Sequence, residues 1–168
     1  MPTRHEDDPP TDATRSARHL TVCVADKAVD AKRILPLSVL TRLCSNERPS
    51  RIRQGNVYRS HVIVVLDGDV PVGFAAYKPT LGRVRVAHEL CVPTPAPGDP
   101  TQVTQALLNT LETGAITAGC SRLCVVLAAS SPLRLILERA GYHVSLSSTD
   151  LTWLEKSLVG DADPLQSA

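Results

Sequence analysis

Apolar and polar residues change period several times along this chain, and each change marks an element. From Leu20, LTVCVA alternates as a half-buried strand does. VDAKRILPLSVLTRLC follows with Leu37, Leu40, Thr41 and Cys44 at helical spacing, and Pro36 inside it either starts a second helix or kinks the first. NERPSRIRQGNVYRS is polar and reads as a loop. In HVIVVLDGDVPVGFAAYKP two apolar runs flank Asp67-Gly68, a pair that tolerates the positive φ of a tight hairpin. RVRVAHELCV alternates strictly. It predicts Val84, Val86, His88, Leu90 and Val92 on one face of a strand and Arg83, Arg85, Ala87, Glu89 and Cys91 on the other.

A proline-studded join, PTPAPGDP, separates that strand from the next apolar pattern. Asp99-Pro100 is a good N-cap and N1 pair. The helix it opens carries Val103, Leu107, Leu111 and Ala115 along one stripe and is predicted to end near Gly119. RLCVVLA is a continuous apolar run, as in a strand buried on both faces. SSPLRLILERAGYHV holds Leu133, Ile136, Leu137 and Ala140 in helical register and places Gly141 at the C′ position. VSLSST and LTWLEKSL read as two closing strands. The predicted order is strand, helical pair, three antiparallel strands, helix, strand, helix and two strands.

Composition narrows what such a domain can do. Aromatic residues are 3 % of the 168, so Val, Leu, Ile and Ala must fill the core, and the stacking platforms that single-stranded nucleic acid needs are missing. A net charge of +1 gives no electrostatic case for nucleic acid or an anionic membrane. The cysteine count is odd, at five, and contains no C-x-x-C, which argues against a disulfide framework or a zinc site and for a reducing cytoplasm. No two histidines have metal-ligand spacing. The first residues form no apolar signal core, and no later run is long enough to cross a bilayer. Residues 1–18 are polar and proline-bearing and read as a disordered tail, residues 159–168 as a second one, and 19–158 as a single domain.

The element order, the hairpin VLDGDVPVGFAAY, the strand HELCV and the segment RLCVVLAASSPLRLILERAGYHV together resemble the GNAT family of acetyl-CoA-dependent N-acetyltransferases, from about Leu20 to Leu158. The resemblance implies an α/β (α+β) fold. Its central sheet would be mixed and mostly antiparallel, of about seven strands flanked by about four helices, with a V-shaped splay between strands four and five. It implies acetyl-CoA or another acyl-CoA as cosubstrate and a small-molecule or peptide amine as acceptor, with no nucleic-acid or membrane partner. A homodimer is compatible with it. Glu89 stands where the family carries an acidic general base, which an ammonium needs because it cannot attack a thioester until it loses a proton. The backbone of Leu90, Cys91 and Val92 stands where the pantetheine arm pairs like an added strand.

The family's phosphate loop, R-x-x-G-x-G, is degenerate here. Aligned from the helix, Asp99 replaces the cation and Gln102 and Thr104 the glycines; aligned from the strand, Pro97, Pro100 and Gln102 do. Prolines supply no N–H, and side chains at glycine positions hold phosphates off the backbone. What remains is the first turn, Thr101, Gln102, Val103 and Thr104, with its N–H groups and helix dipole. The family's N-x-x-A-x-x-x-Y-x-x-x-G-F becomes Ser130, Leu133, Leu137, Gly141 and Tyr142, so Leu137 stands in place of the tyrosine that protonates the leaving thiolate.

Plainer roles compete for several of these residues. Glu89 can pair with Arg83 or Arg85 on its own face, and His88, on the opposite face, is more often a packed strand histidine than a catalyst. Cys91 admits an acyl-cysteine route but is better read as a small buried residue. Arg48, Arg51, Arg53 and Arg59 make one loop basic, either as a solvated surface or as a border of the acceptor site. Two alternatives to an enzyme are a binding or regulatory module of the same fold that has lost coenzyme A affinity, and a structural domain pairing through its sheet edges.

Overall fold

In the computed structural model the chain is described over residues 19–44, 51–78, 82–93 and 99–159, with the backbone alone for 51–54. Seven strands form one sheet in the order β1-β2-β3-β4-β5-β7-β6. They are β1 (Leu20–Ala25), β2 (His61–Asp67), β3 (Val70–Tyr77), β4 (Val84–Cys91), β5 (Arg122–Ala128), β6 (His143–Ser147) and β7 (Leu151–Ser157). Neighbours are antiparallel except β4 and β5, which run parallel. A parallel pair needs a crossover, and the helix α4 (Pro100–Thr117) supplies it.

The sheet is covered on both faces. On one, α4 and the short α5 (Arg134–Arg139) lie over Ile63, Ala75, Ala87, Leu123, Val125 and Leu154, contributing Val103, Leu107, Leu111 and Leu137 to that core. On the other, α1 (Ala28–Ile34), α2 (Leu37–Leu43) and α3 (Arg51–Tyr58) cover Val62, Val64, Phe74 and Ala76. Phe74, the only phenylalanine, is fully buried there. Strands β2 and β3 are therefore buried on both faces, which explains their near-continuous apolar runs.

The turn chemistry falls where the sequence places it. Asp67 pairs with Val70 across a two-residue loop whose first residue, Gly68, has φ 61°, the geometry that favours glycine in a hairpin. Asp99 caps α4, its carboxylate accepting from the Thr101 N–H at 2.9 Å, with Pro100 in the first turn. Gly119 and Gly141, with φ 81° and 95°, follow α4 and α5.

Two expectations in the N-terminal half need correction. The break at Pro36 resets the helical phase, so Leu40, Leu43 and Cys44 are buried while Leu37 and Thr41 are exposed. The segment read as a polar loop contains α3, which brings the helices among the described residues to five, against the expected four or so. Its own apolar content is small. Val57 is buried under β2, and the Tyr58 hydroxyl donates to the Leu35 carbonyl at 2.8 Å, so tertiary contacts fix a helix that periodicity does not announce.

Candidate functional site: a cavity where two parallel strands part

Strand β4 has two halves. Its first pairs with β5 from Val84↔Arg122 to Ala87↔Val125, and there the pairing stops. Beyond it the strands part, and a cavity of about 720 Å³ opens between the ends of β4 and β5, within the size range of small-molecule sites. This is the splay that the resemblance implies. Glu89, Leu90, Cys91 and Val92 line one side, Val126 to Ala128 the other, and Ser130 to Leu133 the rim. His88, Cys44, Asn56, Asp150 and Trp153 are also part of the wall.

A β-bulge separates the halves. Ala76 pairs with Glu89 but the next residue, Tyr77, pairs with Ala87, so His88 is an extra residue without its own ladder position. One inserted residue inverts the alternation after it. Ala87, Leu90 and Val92 consequently share the α4 face, although strict alternation separates Ala87 from the other two. The same shift brings His88 and Glu89 together on the cavity side, where the sequence predicts opposite faces. It also removes Arg85 as a partner for Glu89. Arg85 turns towards α4, with its guanidinium 4.6 Å from the centre of the Tyr77 ring and against Gly114. Burial raises the Tyr77 pKa, the Arg85 charge opposes that shift, and the Asp26 carboxylate adds to it.

His88 is held by a short chain of hydrogen bonds that no local sequence pattern predicts. The Ser60 hydroxyl donates to the Asn56 carbonyl at 2.6 Å, and its oxygen lies 2.8 Å from His88 Nε2. A hydroxyl has one proton to give, so Ser60 accepts from His88, which must donate through Nε2. The imidazole is thus pinned in orientation on the cavity wall. Asn56 and Ser60 belong to α3 and its exit, a helix hidden in a polar stretch, so no local pattern marks them.

The residues expected to hold a cofactor separate into two groups. Leu90, Cys91, Val92 and Ser130 line the cavity. Thr101, Gln102, Val103 and Thr104 form the first turn of α4, as expected, but they are not among the described residues lining it. Thr101 and Gln102 are exposed, and the Thr101 N–H is taken by Asp99. Val103 packs against β3, and Thr104 is fully buried with its hydroxyl turned inward and unpartnered. Residues 94–98 of the proline-rich join, Pro97 among them, lie outside the described residues, as do Arg48 and the side chains of Arg51 and Arg53. Arg59 is exposed after α3.

Leu137 is fully buried in the α4-side core, so no proton donor stands at that position. Tyr142 is buried too. Its hydroxyl donates to Glu112 at 2.8 Å beside Lys156, and burial first, then that hydrogen bond, pushes its pKa far above the ordinary tyrosine range. It is a core anchor. Among the described residues, no group of three or more His, Cys, Asp or Glu is arranged to hold a metal, and no helix is long and apolar enough to cross a membrane.

No family model and no curated protein matches the chain. Solved structures do. An IAA acetyltransferase from Bacillus cereus superposes with a TM-score of 0.63 at 16 % identity, over 83 % of this chain and 99 % of that one. An aminoglycoside 6'-acetyltransferase type Ii gives 0.63 at 18 %, over 83 % and 97 %. An acetyltransferase from Bacillus subtilis in complex with CoA gives 0.63 at 15 %, over 84 % and 100 %. The chain therefore has the GNAT acetyltransferase fold.

Proposed function

We propose that this protein is an N-acyltransferase that takes an acyl group from coenzyme A and delivers it to an amine. The observation that carries this reading is the cavity opened by the bulged, diverging end of β4, with Glu89 in its wall. The chain's residues fit such a donor in part. Leu90, Cys91 and Val92 offer a strand end along which an extended amide-bearing arm can lie, and Val126, Leu127 and Trp153 give it apolar walls.

When bound, acyl-CoA supplies an activated thioester carbonyl. The protein's part is to bring a neutral amine to it. Glu89 and Asp150 are the charged side chains among the described cavity-lining residues, and their carboxylates suit an amine acceptor. Glu89, directly or through one water, takes the ammonium proton and leaves a nitrogen lone pair able to attack. His88, fixed by Ser60, borders the same position. Direct attack needs no acyl-cysteine, and leaves Cys91 as wall.

A second reading has its own observation. Asp99 occupies the first turn of α4, satisfying an N–H and placing a carboxylate where a diphosphate would be wanted. That favours a binding module that keeps the cleft and has lost coenzyme A. Calorimetric titration with acetyl-CoA separates the two. Saturable one-to-one binding at micromolar to millimolar cofactor supports the acyltransferase; no heat at millimolar cofactor, with the protein folded by circular dichroism, eliminates it.

A further inference from the structure

Five cysteines without a C-x-x-C argue for isolated thiols, yet the fold brings two of them together at the cavity. Cys44 is the C-cap of α2, and Cys91 ends β4, 47 positions later in the chain. The Cys44 thiol donates to the Cys91 sulfur with the two sulfurs 3.3 Å apart, and both residues line the cavity. A disulfide needs about 2.05 Å, so closing it takes an approach of about 1.3 Å. Their exposures differ. Cys44 is 6 % exposed and buried beneath the α1–α3 core, whereas Cys91 is half-buried.

We propose that Cys44 and Cys91 form a dithiol modification site that a small hydroperoxide converts reversibly to a disulfide. The unequal exposure assigns the roles. The Cys91 sulfur, as thiolate, attacks the peroxide oxygen; the O–O bond breaks, a sulfenic acid forms on Cys91 and one water leaves after taking up a proton. The Cys44 sulfur then attacks the sulfenic sulfur, the S–S bond forms, and the sulfenic oxygen departs as a second water. In sum two thiols lose two electrons and two protons, and hydrogen peroxide is reduced to two waters. A neighbouring thiol this close captures the sulfenic acid before further oxidation, which an isolated cysteine cannot do. The product ties the end of α2 to the end of β4 across the cavity wall. This chemistry is independent of the acyl-transfer reading, because it is read from mass rather than from activity.

The test treats the full-length protein with hydrogen peroxide, blocks remaining thiols by alkylation, and digests it with trypsin and Glu-C without reduction. Cleavage at Glu112 separates Cys91 from Cys120, so each cysteine is assigned by its own peptide. A Cys44–Cys91 linked peptide that has lost two hydrogens, and that dithiothreitol restores, is the expected result. Cys44→Ser and Cys91→Ser should each abolish it, and in Cys44→Ser the Cys91 peptide should instead carry sulfinic acid. Cys91 sulfinic acid in the unaltered protein, or linkage of either residue to Cys23, Cys120 or Cys124, would overturn the proposal. If a variant misfolds, phenylarsine oxide on the unaltered protein decides. One arsenical should protect Cys44 and Cys91 together from alkylation, and protection of neither, or of one alone, would refute the site.

Discussion

The end of β4 and the first turn of α4 lie within a side chain's reach of each other, and they have kept very different shares of what an acyl-CoA site requires. The β4 end presents a bulge, a halted parallel ladder and a cavity with a carboxylate in its wall. The α4 turn presents an aspartate where a cation is wanted and has already given one N–H to it. The difference lies in what each feature is made of. A strand end contributes backbone and shape, which tolerate almost any side chain. An anion site depends on glycine, N–H groups and charge, and a few substitutions undo it.

The strongest way to break this comparison is Glu89→Gln. If the β4 end is the working half, kcat should fall by ~10²–10³-fold while the acetyl-CoA dissociation constant moves less than about threefold. Unchanged turnover across pH would remove Glu89 as base. Next comes Gly73→Ala, because Gly73 sits between the two regions. A Cβ there would stand 2.8 Å from Val103 Cγ1 on α4, and 3.2 Å from both the Cys91 carbonyl and a Val92 methyl. The Val103 contact must be relieved, and Cys91 offers only backbone to move. We expect a loss of about 1–3 kcal/mol in urea unfolding, with cavity binding weakened because the β4 end is displaced.

Two substitutions at Asp99 sharpen the other half. Asp99→Ala should cost about 1 kcal/mol of stability by removing the cap on Thr101. Asp99→Asn keeps a capping oxygen and removes the charge, so stability should hold while acetyl-CoA affinity rises about threefold to tenfold. An equal affinity would mean that diphosphate does not approach this turn.

The smallest expected effect concerns pH and lies in β5, beside the cleft but outside it. Burial, aided by Glu155 and opposed by Arg122, pushes the Cys124 thiol up to about 11 from its ordinary 9.0. The folded state thus holds this proton more tightly than the unfolded chain does. Its contribution is whole below pH 9 and is lost as pH rises from 9 to 11. Cys124→Ala should therefore lose less stability than the unaltered protein over that window, by on the order of 1 kcal/mol, read from urea midpoints at fixed pH. The Tyr142 shift adds a further alkaline loss above pH 10 that the variant retains.

Most of the scaffold was legible because its signals are local. Hairpin glycine, N-cap aspartate, C′ glycines and apolar stripes each act within a few residues, and all seven strands lie where the periodicity puts them. Two things were not. Helix α3 is fixed by long-range contacts of Val57 and Tyr58, which a polar stretch does not display. The bulge at His88 leaves only a small mark in RVRVAHELCV, the consecutive apolar Val86-Ala87 and polar His88-Glu89, and pairing with β3 reveals the inserted residue. Site details inherit both gaps. The company of Glu89 on its face, the loss of Arg85 as its partner, the Ser60 hold on His88 and the closeness of Cys44 to Cys91 all depend on α2, α3 or the bulge.

One residue in the cavity wall carries a practical consequence. Trp153 is the only tryptophan in 168 residues, and it lines the cavity on β7. Excited at the red edge, where the three tyrosines scarcely absorb, the protein emits from a single position inside its own cleft. Occupancy can thus be followed optically, without label or turnover. A compound library can be screened against the unaltered chain by quenching or spectral shift alone. The acceptor can be sought by what changes the light of one indole, before any reaction is known.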